Sequence, residues 1–374
     1  MQDVARGLEG VVVAPTSISK VDGEKGALIY RGIDIHDLAQ NSSFEEVVYL
    51  LWNGRLPSRG ELTSFTTAMA EERAVPEPVL DLVRRTPRDS DVMATLRTAT
   101  SALSSYDPDA EDGSPAALQR KARRLTACLG TLVAAIGRAR EGHPPVAPDA
   151  KRSYAEDFLH MLTDREPDPV AVRTFDQALV LHADHGFNAS TFAARVTTST
   201  QSDMHSAVVT AIGTLKGPLH GGANTRVMQM LLEIERSGKQ PAVWVRDALA
   251  AGKRVMGFGH RVYKVEDPRA VHLRRACKDL GAALGDSQWY NLSVAIEQEV
   301  RASKELYPNV DFYSASTYYM LGIPMELYTA IFAMSRMSGW TAHVMEQSED
   351  NRLIRPRSNY IGLRDVAYVP VEAR

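Results

Sequence analysis

The chain has 374 residues and a formal net charge of −3, with the apolar and charged fractions of an ordinary globular protein. This length suggests about two domains, because one hydrophobic core rarely serves more than about 300 residues. The small net charge gives no reason to expect nucleic acid or an acidic membrane as a partner. No apolar run approaches the ~20 residues of a membrane span and no secretory signal is evident, so we expect a cytoplasmic protein. The two cysteines match no metal-ligand spacing and are expected to be reduced thiols.

The first predicted element is a small β-hairpin within residues 10–31. Residues 11–13 are all valine, residues 18–21 alternate in polarity, and residues 22–26 supply turn-forming side chains before the apolar run at 27–30. Because this is the only convincing β signal in the sequence, we expect a mainly α-helical fold.

The predicted helices are marked by capping residues and breaks. Residues 43–46 and 58–61 both have the Ser-x-x-Glu pattern of a capping box, and Gly54 ends the first helix. A polar break at 107–114 precedes a long helix to about residue 140, and a proline-rich connector covers 142–149. Further helices are predicted over residues 170–183, 188–196, 203–215, 227–236, 242–252, 268–284, 290–306, 315–321 and 325–340.

Residues 217–224 combine one proline, one histidine and two adjacent glycines in the sequence GPLHGGAN. The proline interrupts a helix and the glycines allow a ligand to approach the backbone closely, so His220 is expected on a loop. Asn224 is predicted to cap the next helix, which would place His220 near a helix N-terminus, where bound negative charge is favoured. The alternative is a tight turn between helices with an incidental histidine.

His260 repeats this arrangement, since Gly257 and Gly259 precede it. A neutral histidine on such a loop can donate a hydrogen bond to a developing oxyanion, and the alternative is a structural histidine. We reject a dinucleotide-binding loop because no predicted strand precedes these glycines and the third glycine of that motif is absent.

Two charged residues further along the chain each have a functional and a structural interpretation. Arg269 is expected near the second position of a helix, where the dipole disfavours a cation unless an anion binds beside it; the alternative is an exposed arginine. Asp311 could cap the helix that follows it. It could also act as a base whose pKa is raised by its apolar neighbours Phe312 and Tyr313.

His182 and His185 flank Asp184, so a metal site has to be considered. The spacing matches no zinc motif and no further ligand lies nearby, so we favour hydrogen bonding to a ligand. Late in the chain, Arg336, Arg355 and Arg357 are cations of the type that binds carboxylates bidentately. Together they suggest a polycarboxylate ligand, and the alternative for each is an exposed charge.

Five segments resemble the citrate synthase family in sequence and in order: 217–224, 257–264, 267–269, 309–314 and 355–357. The hairpin and residues 181–195 fit the same family, so the resemblance covers nearly the whole chain. It implies a two-domain, mainly α-helical fold with a small N-terminal β-hairpin. The large domain would comprise residues 1–221 and 325–374, and the small domain residues 222–324. It also implies a homodimer with its active sites in the clefts between domains.

The resemblance implies a role for each candidate residue. Asp311 would take a proton from the methyl group of acetyl-CoA, His220 would bind the thioester oxygen, and His260 would polarise the ketone of oxaloacetate. The citryl-CoA so formed would be hydrolysed to citrate and CoA without a metal or cofactor. Oxaloacetate would be held by His185, Arg269 and Arg336, and by Arg355 reaching in from the other subunit. CoA would contact Arg254, Val255, Met256, Gly257, Phe258, Gly259, Lys264 and Asn309.

Two departures from the family pattern qualify these expectations. Gly186 stands where many members have an acidic residue after the motif histidine, which bears on the orientation of His185. The sequence lacks the longer N-terminal region of the NADH-inhibited members, so we expect no control by NADH. It resembles the short dimeric type of Gram-positive bacteria and archaea, which includes 2-methylcitrate synthases that use propionyl-CoA. The motifs leave that alternative open, and a non-catalytic polycarboxylate-binding protein is the third hypothesis.

Overall fold

The computed structural model describes residues 5–374, and helices form most of that part of the chain. In order the helices are α1 Ile35–Asn41, α2 Phe44–Asn53, α3 Arg59–Glu71, α4 Glu77–Arg85, α5 Val92–Leu103, α6 Pro115–Glu141, α7 Tyr154–Thr163, α8 Pro169–His182, α9 Ala189–Ser199, α10 Met204–Leu215, α11 Ala223–Ser237, α12 Pro241–Ala250, α13 Pro268–Leu284, α14 Gln288–Lys304, α15 Val310–Met320 and α16 Tyr328–Glu349. Among these described residues no helix is both long enough and apolar enough to cross a membrane.

The predicted hairpin is present and carries a third short strand. Strands β1 (Ser19–Asp22), β2 (Ala27–Tyr30) and β3 (Ile33–Asp34) form one antiparallel sheet in that order. The expectation that residues 11–13 form part of a strand is wrong. A strand needs a neighbour for its backbone hydrogen bonds, and these valines pair with no strand within residues 5–374 and are exposed, Val12 to 90%.

Most predicted helix ends are confirmed, because caps depend on residues that are close in sequence. Ser58 and Glu61 make both bonds of a capping box, and Asn188 caps α9. Asp267 caps α13, with Pro268 in its first turn.

Two cap predictions near the candidate site are wrong. Gly222 adopts a left-handed φ of 74° and lets α11 begin two residues earlier than Asn224 would. Asn224 is therefore buried in the first turn of α11. Asp311 does not cap α15 either, since the side chain of Asn309 accepts the hydrogen bond of the Asp311 N–H.

Helix α16 covers most of the helix predicted at 325–340, crosses the core and contacts α2, α5, α6, α8, α9, α10 and α11. Trp340 is fully buried on it. A Cβ atom on Gly339 would collide with the carbonyl oxygen of Ala183 and with the Asp184 carboxylate. The glycine thus lets α16 lie directly against the loop that leads to His185.

Helices α11 to α15 lie in the segment predicted to form a small domain, residues 222–324. Contacts join α11 to α15, α12 to α14, and α13 to both α14 and α15. This group contacts the rest of the described chain chiefly through α13 with α1 and α8, and through α11 with α16. This pattern fits the predicted domain division, which remains a prediction.

Candidate active site

His220 lies in the loop between α10 and α11 and is held by α9. The backbone N–H of Ser190 donates to His220 Nε2 at 3.2 Å, and the Ser190 hydroxyl lies 2.7 Å from the same nitrogen. Trp340 Nε1 donates to that hydroxyl at 3.1 Å. Burial, together with Arg336, lowers the pKa of His220 to about 4. Since Nε2 accepts, the neutral ring carries its proton on Nδ1, where it can donate to a ligand.

His260 is neutral in the opposite tautomer. Its Nδ1 accepts the backbone N–H groups of Val262 at 3.0 Å and Tyr263 at 3.1 Å, so Nε2 carries the proton. Burial, with Arg269 adding to it, lowers the pKa of His260 to about 4. The ring centroid lies 5.4 Å from that of His185. A fixed N–H donor therefore lies next to a second imidazole.

His185 is oriented by the residues around it. Its Nε2 is 3.1 Å from the Tyr263 hydroxyl. Burial and then Arg269 hold its pKa well below the usual value for histidine. The next residue, Gly186, has a left-handed φ of 57° and donates its N–H to the Asp184 carboxylate at 3.0 Å. Asp184, which precedes His185, therefore holds this loop, whereas the family pattern suggested an acidic residue after the histidine.

Arg269 is 2% exposed, which rules out the interpretation as a surface arginine. Its Nε and Nη2 donate to the two carboxylate oxygens of Asp267 at 2.9 and 2.8 Å. Asp267 therefore supplies part of the negative charge that we expected beside an arginine at this position of the helix. Nη1 makes no hydrogen bond within residues 5–374, which leaves one side of the guanidinium available to a ligand.

Arg336 is a buried cation that forms no salt bridge with a carboxylate in the described part of the chain. It is 1% exposed, its Nε donates to the carbonyl oxygen of His182 at 2.7 Å, and its guanidinium lies 4.7 Å from the centroid of the Phe332 ring. Burial lowers its pKa to about 10. A buried charge without a partner is costly, so an anionic ligand would relieve a penalty that the folded chain otherwise carries.

Asp311 lies in the first turn of α15, and its carboxylate accepts no hydrogen bond from any residue that the structure describes. Burial raises its pKa to about 6, although Arg269 and Arg336 act in the opposite direction. A carboxylate with this pKa is ionised at neutral pH and is still basic enough to accept a proton from a substrate.

We expect the rate to follow the ionisation of Asp311. Because the base works only when deprotonated, kcat/KM should fall as the pH drops through about 6. His220 and His260, with pKa values of about 4, should stay neutral over that range. A pH–rate profile between pH 4.5 and 8 checks this. A limb that persists at the same pH in the residual activity of Asp311→Asn, which has no carboxyl to titrate, would point to another group.

The segment predicted to contact CoA is joined to the helix that carries Asp311. Asn309 donates its backbone N–H to the Gly257 carbonyl at 2.9 Å and its side-chain N–H to the Gly259 carbonyl at 3.0 Å. Gly257 has a φ of 84°, and a Cβ there would lie 2.8 Å from the Phe312 ring. Arg254 and Lys264 are exposed, as groups that meet phosphates can be. The CoA contacts themselves remain predictions.

The structure does not bring Arg355 into the site of its own chain. Arg355 and Arg357 follow α16 in a segment whose side chains are largely exposed. The buried His182 bonds the Ala178 carbonyl at 2.7 Å through Nδ1. No group of three or more His, Cys, Asp or Glu side chains within residues 5–374 could hold a metal ion.

A separate cavity of about 160 Å³ lies elsewhere in the fold. It is lined in part by Tyr106, Arg124 and His205, and it includes none of the predicted site residues.

Sequence reasoning missed the residues that orient the histidines. Ser190 and Trp340 hold His220, and Asp184 fixes the loop of His185. For Ser190 and Trp340 no sequence signal was available, since these contacts join residues 30 and 150 positions apart. The pairing of Asp267 with Arg269 could have been found, because a capping acid two residues before an arginine is within reach of it.

Comparison with known proteins identifies the family. Residues 7–357 match the model of the "Citrate synthase, C-terminal domain" family. A citrate synthase of Haloferax volcanii is 53% identical over 100% of this chain and 99% of its own. A 2-methylcitrate synthase of Mycobacterium tuberculosis is 45% identical over 96% of this chain and 91% of its own.

Solved structures agree with the sequence matches. The crystal structure of citrate synthase from Pyrobaculum aerophilum has a TM-score of 0.92 and 42% identity, and the match covers 99% of this chain and 95% of that one. A ternary complex of the Thermoplasma acidophilum citrate synthase with carboxymethyl coenzyme A and oxaloacetate has a TM-score of 0.92 and 34% identity, and covers all of both chains.

The fold is that of a mainly α-helical acyltransferase. The chain belongs to the citrate synthase family. The predictions of family, fold class and citrate synthase activity are confirmed.

Proposed function

We propose that the residues described above condense acetyl-CoA with oxaloacetate and then hydrolyse citryl-CoA to citrate and CoA. The observation that carries this assignment is the buried guanidinium of Arg336, which forms no salt bridge with any carboxylate of residues 5–374. Its charge helps to lower the pKa values of His220 and His185, and it opposes the rise that burial causes in the pKa of Asp311. A dianionic substrate would supply the negative charge that this group of residues lacks.

In the first step Asp311 takes a proton from the methyl carbon of acetyl-CoA. This carbon acid is very weak, so the enol forms only if the thioester oxygen receives a hydrogen bond as charge develops on it. His220 is the donor through Nδ1–H, since Ser190 occupies Nε2. Base and donor act in the same transition state.

In the second step the enol carbon attacks the ketone carbon of oxaloacetate. His260 donates its Nε2–H to the ketone oxygen and protonates it as the carbon–carbon bond forms. Arg336 and the free side of Arg269 bind the carboxylates, and His185 positions the substrate beside His260. Water then attacks the citryl thioester carbon, and one of its protons restores neutral His260. The proton that Asp311 took from the methyl group passes to the departing thiolate, so CoA leaves as the thiol, and the new carboxyl group releases its proton to solvent. Closure of the two domains would keep water out until condensation is complete.

The relatives support this substrate pair. The Thermoplasma acidophilum protein binds a CoA analogue together with oxaloacetate, and the Haloferax volcanii relative is a citrate synthase. The 2-methylcitrate synthase at 45% identity keeps propionyl-CoA as the second candidate.

The test is release of free thiol from acyl-CoA, followed with and without oxaloacetate. We expect thiol release only with oxaloacetate and a higher kcat/KM for acetyl-CoA than for propionyl-CoA. One methylene is worth about 1–3 kcal/mol in a pocket, so the ratio should be roughly 10- to 200-fold. A preference of that size for propionyl-CoA would favour the 2-methylcitrate synthase, and oxaloacetate binding without thiol release would favour a non-catalytic protein.

We also infer that two copies of this chain form a homodimer. The segment after α16 exposes large apolar side chains, including Ile361 at 91%, Leu363 at 82% and Tyr368 at 81%. Such a run of exposed apolar surface is typical of a segment that packs on a partner. Arg355 lies in it, and we infer that it reaches the active site of a second copy of this chain.

Mixed dimers test the role of Arg355. Asp311→Asn and Arg355→Gln should each have low activity alone. When the two are co-expressed, half of the dimers are mixed, and each mixed dimer has one site with neither defect. About a quarter of the wild-type activity should therefore return. Co-expression of Asp311→Asn with His260→Gln is the control and should restore nothing, because both residues come from the same chain. Absence of recovery in the first pair would remove Arg355 from the neighbouring site.

A further inference from the structure

The tip of the β1–β2 hairpin lies directly against the loop that carries His260. The backbone N–H of Lys264 donates to the carbonyl oxygen of Gly23 at 2.9 Å. A Cβ atom on Gly23 would collide with the carbonyl group of Val262 and lie 3.1 Å from its Cγ1. A Cβ on Gly26 would lie 2.7 Å from Val265 Cγ2. The two glycines therefore allow a backbone-to-backbone contact that side chains would prevent.

The body of the same hairpin holds the loop that carries His185. The Ser19 hydroxyl donates to the Asp184 carboxylate and also accepts the N–H of Gly186 at 3.0 Å. The Tyr30 hydroxyl donates to the carbonyl oxygen of Asp184 at 2.8 Å. One small sheet thus contacts both loops whose histidines face each other.

We propose that the hairpin tip is a positioning element for oxaloacetate, and that Gly23 seats the 260–266 loop so that His260 lies against His185. This rests on the proposed function and on the predicted division at residue 222, which assigns the two loops to different domains. Gly23 contacts no reacting atom, so it acts through the loop. The seated loop brings Tyr263 to 3.1 Å and the His260 ring to 5.4 Å from His185.

Gly23 offers a selective test because its backbone is not in the left-handed region. Alanine can adopt that conformation, so Gly23→Ala meets no strain within the hairpin itself. The added methyl group collides only when the 260–266 loop is seated. The substitution should therefore lower the fraction of molecules with a seated loop, and the apparent affinity for oxaloacetate falls in proportion to that fraction.

The experiment measures oxaloacetate binding by calorimetry and backbone hydrogen exchange in residues 262–266. In Gly23→Ala the Kd for oxaloacetate should rise roughly tenfold or more, because the added methyl group overpacks the contact and disfavours the seated loop. Oxaloacetate should slow exchange of the loop in the wild type and much less in the variant. Glu24→Ala, an exposed change in the same turn, is the control and should match the wild type.

A second variant alters the same backbone contact at Lys264, its partner in the 260–266 loop. Lys264→Pro removes the N–H that donates to Gly23 while leaving the hairpin sequence intact, and it should weaken oxaloacetate binding as well. Wild-type affinity and wild-type loop protection in Gly23→Ala, or wild-type affinity in Lys264→Pro, would overturn the proposal. These readouts need no turnover, whereas failure of the proposed function would appear as a wild-type protein that releases no thiol.

Discussion

Replacing Asp311 with asparagine should lower kcat for condensation by about 10²–10⁴-fold while oxaloacetate binding is unchanged. The amide has nearly the same shape but cannot accept the methyl proton of acetyl-CoA. The Asp311 carboxylate makes no hydrogen bond to the described residues, so little of the structure depends on the charge of that carboxylate. Steady-state kinetics and calorimetric titration with oxaloacetate measure the two effects separately.

Asp279→Asn is a suitable control, because Asp279 is an exposed acid on α13 and forms only a loose pair with Arg275 at 3.8 Å. It should keep wild-type kcat and KM. If Asp311→Asn retained more than about a tenth of the wild-type kcat, Asp311 would not be the base.

Replacing Arg336 with methionine should raise the KM for oxaloacetate by at least about 30-fold without lowering the thermal midpoint appreciably. Loss of the guanidinium removes the charge that a substrate carboxylate would pair with. It also removes a buried cation that no carboxylate among residues 5–374 neutralises, which offsets the loss of the hydrogen bond to the His182 carbonyl. The paired measurements are oxaloacetate titration and thermal unfolding.

Arg73→Met gives the contrasting result. Arg73 is buried too, but it pairs with the fully buried Asp157 at 2.9 Å. Its removal leaves an uncompensated carboxylate, which should cost about 3–5 kcal/mol of stability with no change in KM for oxaloacetate. An Arg336→Met protein that unfolds as readily as Arg73→Met, or that binds oxaloacetate normally, would show that Arg336 has a structural role.

Local sequence signals predicted much of the fold, since capping and turn residues act over a few positions. Ser58 with Glu61, Asn188 and Asp267 all begin helices where the sequence indicated. Asn224 failed because Gly222 offered an earlier start, and a left-handed glycine competes with an asparagine cap in a way that spacing alone does not reveal.

The candidate site was predicted less completely, because its electrostatics depend on tertiary contacts. The motifs indicated which side chains to consider, but the tautomers of His220 and His260 follow from Ser190 and from backbone N–H groups. That Arg336 has no carboxylate partner in the described part of the chain also became visible only when its neighbours were known. The role of Arg355 depends on a second chain and could come only from the resemblance.

A crystal structure with oxaloacetate and an unreactive acetyl-CoA analogue would show where both substrates lie relative to Arg336, His260, Asp311 and His220. We expect substrate carboxylates on Arg336 and on Nη1 of Arg269, and the ketone oxygen within hydrogen-bond distance of His260 Nε2. We also expect the acyl carbon of the analogue between Asp311 and His220 Nδ1. Oxaloacetate bound away from Arg336, or an acyl carbon that lies out of reach of both Asp311 and His220, would contradict this assignment.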